Sequence, residues 1–134
     1  MTQSNIQKLR EIGGHLVDPD IAVRIFEELP DAIVVVDQAA TIQLVNKQTE
    51  MLFGYHRIDL FDQPIEILVP EDARERHAAH RSGFLLDPRT RPMGLGMALQ
   101  GRRKDGSQFE AEINLSPIVT RGGVFVLSVI RRKR

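Results

Sequence analysis

The sequence predicts an α+β domain built on one antiparallel sheet, with its helices gathered on one face. Three observations carry this. A β-branched run, Ala32-Ile33-Val34-Val35-Val36-Asp37, has the composition of a buried strand. Further on, Phe109, Ala111, Ile113 and Leu115 alternate with Glu110, Glu112 and Asn114, which marks a strand with one dry and one wet face. Between these lies a middle of short helical pieces. The order of two strands, several helices and three strands favours segregated layers over alternating βαβ units.

The 134 residues suit one domain. A chain of this size buries about two thirds of its unfolded surface and needs no covalent staple. It contains no cysteine, which excludes disulfides, thiolate zinc sites and cysteine nucleophiles. No apolar run approaches the roughly 18 residues of a membrane span, and the polar start, Met1 to Arg10, does not read as a signal peptide. A cytoplasmic protein with no membrane segment is expected. The net charge is zero, but it is divided. Residues 1–70 hold 5 Lys and Arg against 11 Asp and Glu, and residues 71–134 hold 13 against 7. Two solvated faces are the plain reading of that division. The basic tail Arg131-Arg132-Lys133-Arg134 has no interleaved aromatic residues, so no nucleic-acid partner is expected.

In chain order, residues 1–20 read as an N-terminal arm and linker, with joints at Gly13-Gly14 and Asp18-Pro19-Asp20. Ile21, Ala22, Ile25 and Phe26 recur at helical spacing and stop before Pro30. Ala32 to Asp37 and Thr41 to Asn46, joined by Gln38-Ala39-Ala40, form a hairpin. Lys47 to Phe53 is a helix ended by Gly54, and His56 to Val69 is broken into short turns. Glu71 to Leu86 is a longer helix with acids in its first turn. Gly94 to Arg103 is a strand leading to Lys104-Asp105-Gly106-Ser107, whose Asp-Gly pair is a hairpin signal. Arg121-Gly122-Gly123 turns the chain into the last strand, Val124 to Ile130.

With these elements placed, the chain resembles the PAS domain family over about residues 22–131. The resemblance is carried by Phe26-x-x-Leu29-Pro30-Asp31-Ala32-Ile33, Val45-Asn46, Leu52-Phe53-Gly54-Tyr55, Leu68-Val69-Pro70, Gly101 to Ser107, and Ile113-x-Leu115-Ser116-Pro117. No one piece is specific; their order and spacing are. The resemblance implies a five-stranded sheet in the order 2-1-5-4-3, short helices on one face and a pocket between the two layers. It also implies an N-terminal flanking helix that pairs two protomers. Residues 21–131 would then be a sensor domain, and 132–134 a basic tail leading to a missing or separate output domain. The expected partners are a second copy, met through Ile21, Ile25 and Phe26, and an effector such as a kinase or cyclic-dinucleotide enzyme of a two-component system. Two departures stand out. Arg132-Lys133-Arg134 replaces the usual aspartate and threonine, and Asp62 stands where the family has glycine.

The same resemblance suggests chemistry. In the family's haem-binding oxygen sensors a helix histidine ligates the iron, and the spacing to the next strand matches His77 and Gly94-Leu95-Gly96. Haem b would then have His77 as its axial ligand, with Met93, Leu95, Met97, Ile113 and Leu115 around it. Oxygen sensors of this kind carry an arginine where this chain has Met97, which argues against oxygen as the ligand. The flavin (FMN) photochemistry of light-sensing relatives needs a cysteine and is excluded. A small organic acid is an alternative ligand, with Asn46, Arg81 and Asn114 as polar contacts, although Asn46 also suits a backbone bond at a strand-to-helix junction. His80 shares a helix face with His77, yet no carboxylate or cysteine completes a metal set. No nucleophile–base pair is evident, so the chain is read as a regulatory module without catalysis, and a ligand-free protein-interaction scaffold is the reading from a different class.

Overall fold

The computed structural model describes residues 19–75, 91–92 and 99–133. The elements run α1 (Pro19–Glu28), β1 (Ala32–Val36), β2 (Ile42–Val45), α2 (Lys47–Phe53), α3 (Arg57–Leu60), 3₁₀ turns at Ile65–Leu68 and Glu71–Ala73, β3 (Arg91–Pro92), β4 (Leu99–Arg102), β5 (Gln108–Thr120) and β6 (Gly123–Arg132). The sheet is antiparallel throughout. Its order is β2-β1-β6-β5, and β3 and β4 both pair with the remaining edge of β5. With β3 and β4 sharing one edge position, this is the five-stranded order 2-1-5-4-3.

Several boundaries differ from the sequence reading, among them the start expected for a helix at Glu71, which is a 3₁₀ turn; three have a clear local reason. The joint expected at Asp18-Pro19-Asp20 is already helical from Pro19, because proline suits a first helical turn and Asp20 favours its N-terminal dipole. Thr41 is not in β2; it bridges to Pro64 instead, and the corner after α3 docks there through Ile42 N–H to the Gln63 carbonyl at 2.8 Å. The edge strand expected over Gly94 to Arg103 pairs as two segments, β3 starting earlier at Arg91 and β4 starting at Leu99. The arm over 1–18 and the long helix beyond Glu75 lie outside the described residues.

Strand alternation sorts the side chains onto two faces. Ala32, Val34 and Val36 of β1 lie opposite Ile130, Ser128 and Val126 of β6. With Phe109 and Ala111 of β5, the apolar members of this set join Phe53, Leu60, Ile65 and Leu68 in one core. Helix α2 is closed at both ends. Asn46 caps its start, and Gly54 ends it at φ 78°, a left-handed conformation that glycine adopts without strain. The β4–β5 hairpin then covers that C-terminus. The Arg103 guanidinium donates to the Leu52 carbonyl at 3.2 Å and stacks 4.6 Å over the Phe109 ring, while Lys104 N–H donates to the Phe53 carbonyl at 2.9 Å. Cations at a helix C-terminus are favourable for the same dipolar reason that anions suit its start. Within the turn, the Asp105 carboxylate accepts from Ser107 N–H at 2.8 Å. Asp62 adopts φ 65°, which accounts for the glycine usual at that position.

Candidate functional site

The helix-facing side of the sheet is where an enclosed ligand would contact the strands. Ile113 and Leu115 are on it, since they oppose Ile130 and Ser128 of β6. Both are half-buried and pack against the core. Asn114 is not there. It opposes Val129 and is exposed on the outer face, so its assignment to the same pocket is corrected: adjacent residues on a strand point to opposite sides. His77, Arg81, Met93, Leu95 and Met97, together with His80 and Gly94-Leu95-Gly96, lie outside the described residues. Among the described residues no group of three or more His, Cys, Asp or Glu side chains could hold a metal ion.

Asn46 is fully buried, and its carboxamide is fully used. Oδ1 accepts from Ile33 N–H at 3.0 Å and from Thr49 N–H at 3.1 Å. Nδ2 donates to the Phe26 carbonyl at 3.2 Å and to the Asp31 carbonyl at 3.0 Å. The Thr49 hydroxyl, also buried, donates to the Ile33 carbonyl at 2.7 Å. Asn46 thus ties α1, β1 and α2 together at one point. Both of its amide protons are taken within the chain, leaving none for a ligand.

The outer face of the sheet carries α1. Ala22, Ile25 and Phe26 of the helix and Leu29 just past its end, with Pro30, Asp31, Ile33 of β1 and Leu127 and Val129 of β6, line a mostly apolar cleft of about 390 Å³. The helix does not close it: Ile21 is 40% exposed and Ile25 is 52% exposed. Of the three residues expected on a pairing helix, Ile25 and half-buried Phe26 line this cleft, and Ile21 is exposed one turn earlier.

Sequence reasoning missed the polar grip on the last turn of α1. Arg57, the first residue of α3, presents its guanidinium to two carboxylates. Nη1 and Nη2 donate to the two Glu27 oxygens at 2.7 and 2.9 Å, and Nε and Nη2 donate to Glu50 Oε1 at 3.1 and 2.8 Å. The other oxygen of Glu50 accepts from Arg57 N–H at 2.8 Å and so caps α3. These bonds hold the Glu27 and Glu50 carboxyls below their ordinary range, against the opposing effect of burial. They likewise raise the Arg57 guanidinium further above its already high value. Asp31 is lowered in the same way by Arg131, which donates to its two oxygens at 3.1 and 2.9 Å. The cap at Asn46 follows a known residue preference and was legible. A pair 30 positions apart, Glu27 and Arg57, has no sequence signal.

Comparison with known proteins places this geometry. A family model described as the PAS fold matches residues 22–132. The chain is 27% identical over 128 residues to the sensor protein FixL of Bradyrhizobium diazoefficiens, covering 95% of this chain and 25% of FixL. It is 28% identical over 98 residues to the oxygen sensor protein DosP of Escherichia coli, covering 73% of this chain and 12% of that protein. The chain thus spans a quarter or less of the length of these relatives. Among solved structures, the PAS domain of an HTR-like protein from Haloarcula marismortui superposes with a TM-score of 0.72 at 25% identity, covering 86% of this chain and 96% of that one.

Proposed function

The chain belongs to the PAS family, and on that premise we propose that it senses a small ligand, a gas or a redox change between its helical layer and its sheet, and passes the signal on through α1. The relay supposes a second copy of this chain paired through α1 and an effector, a kinase or a cyclic-dinucleotide enzyme, under its control. The observation that carries the reading is the placement of α1. It sits on the outer face of the sheet, its last turn is bonded into the β1–α2 junction, and an apolar cleft beside it stays open. Exposed apolar surface of this kind suits a protein partner. Light scattering on the purified chain tests the pairing. A dimer that becomes a monomer in Ile25→Asp supports it, and a monomer at high concentration in the unchanged chain refutes it. Native mass spectrometry reports any bound small molecule.

A second reading, haem b as the sensing group, is favoured by the similarity to DosP and by two apolar residues on the helix-facing side, Ile113 and Leu115. These two fit the wall of an apolar haem pocket. In this reading His77 would hold the iron through its imidazole, and Met93, Leu95 and Met97 would complete the surroundings of the group. Bound haem would supply an iron centre able to bind a diatomic gas or change oxidation state. A Soret band after expression with haem supplied, lost in His77→Ala, is the result that supports it. If the band is absent and no ligand is found while the dimer persists, the interaction-scaffold reading is the one that stands.

A further inference from the structure

Helix α1 is gripped at its C-terminal end by three neighbouring groups. The Phe26 carbonyl accepts from Asn46 Nδ2, the Glu27 carboxylate takes the Arg57 fork, and Glu28 pairs with Lys47 at 3.1 Å. In its first half the described ion pair, Asp20 with Arg24 at 3.0 Å, is internal to the helix. The central fork is also sheltered: the Glu27 side chain is 13% exposed and that of Glu50 is 25% exposed.

We infer that Arg57 is a coupling residue, which clasps the last turn of α1 to the corner between α2 and α3 so that a shift of that corner moves α1. The inference rests on the reading of α1 as the output element. The geometry supplies the lever. Helix α3 has only four residues; at one end Leu60 is fully buried in the core, and at the other Arg57 grips Glu27 and Glu50 at once. A guanidinium is a rigid planar donor set, so two carboxylates held by one fork keep a fixed relation to each other. Any change in the core that displaces Leu60 is therefore carried over a single helical turn to α1. A lysine would keep the charge but lose the fork.

Hydrogen–deuterium exchange on the full chain tests this, with Glu27→Gln and Leu60→Val alone and combined. Glu27→Gln is expected to speed exchange in Ile25 to Leu29 roughly tenfold, while β1 and β6 keep their protection and report an intact fold. Leu60→Val is expected to speed α1 exchange in the unchanged background and to add nothing when Glu27→Gln is already present. Unchanged α1 exchange in Glu27→Gln overturns the inference, as does a Leu60→Val effect on α1 that persists without the Glu27 charge. Exchange requires neither ligand nor second copy, so a failed clasp and a failed dimer are told apart.

Discussion

Replacing Asn46 by alanine removes a buried side chain that joins three elements. Its loss leaves Ile33 N–H, on a residue only 4% exposed, without its partner, at a cost of about 1–3 kcal/mol. The cap on α2 goes as well, worth about 1 kcal/mol. The Phe26 and Asp31 carbonyls lose their donor, and each adds a smaller amount because a carbonyl keeps other ways to be satisfied. Together these give roughly 3–5 kcal/mol, which at about 3–4 °C per kcal/mol lowers Tm by about 10–20 °C. Urea unfolding and a thermal melt measure both. Asn46→Asp sharpens the test, because it preserves the acceptor that caps α2 but turns the donor into an oxygen facing two carbonyls. The aspartate variant should thus be less stable than the unchanged chain at neutral pH, because the Phe26 and Asp31 carbonyls lose their donor and face an oxygen instead. A loss under about 1 kcal/mol in Asn46→Ala, or an aspartate variant as stable as the parent at pH 7, would refute the junction argument.

Three further outcomes follow from other contacts. A Cβ at Gly101 would stand 2.5 Å from the tip of the Phe109 ring, which is held against Phe53 at a centroid distance of 5.3 Å; Gly101→Ala should cost about 1–3 kcal/mol in urea unfolding. Asp62→Gly relieves a left-handed residue on an exposed corner and should stabilise by about 0.5–1 kcal/mol, seen as a higher midpoint with an unchanged slope. Glu27, Asp31 and Glu50 all have lowered carboxyl pKa values, so their contribution is present above the unfolded value and is lost as pH falls through the folded one. Stability should drop as pH falls below the ordinary glutamate value of 4.5, and Glu27→Gln should flatten that drop in a pH series of urea melts.

What the sequence made legible follows from the range of each interaction. Strand periodicity placed Ile113 and Leu115 on the dry side, because period-2 patterning is local and is enforced by burial. The same rule puts Asn114 on the wet face with Glu110 and Glu112, so its polarity does not bring it to a pocket lined by Ile113 and Leu115. Helix α2 was legible at both ends, since its cap residues act within one turn. The Arg57 clasp was not, because its partners come from α1 and α2 and meet only after the chain has folded. Asp62 lies between these cases. Its departure from the family's glycine was visible in the sequence, and the positive φ supplies the physical reason.

The division of charge between the two halves bears on how copies of the chain would meet. An acidic and a basic half would offer opposite charges to a second copy, but part of that complementarity is consumed within one chain. Asp31 pairs with Arg131 across 100 positions, Asp59 lies 3.8 Å from Lys104, and Arg103 is turned onto the C-terminus of α2. The residues beside the open cleft are instead mostly apolar, Ile25, Phe26 and Leu29 with Leu127 and Val129, and the charged residue among them, Asp31, is already paired with Arg131. Exposed ion pairs contribute little and weaken with salt, whereas burial of apolar surface does not weaken as salt is added. Pairing through α1 should therefore hold at the same concentration between about 50 mM and 500 mM sodium chloride, a range over which the Debye length shortens from roughly 14 Å to 4 Å. Sedimentation at the two salt concentrations measures it. A dimer that falls apart at the higher concentration would show that charge, not the cleft beside α1, holds the copies together.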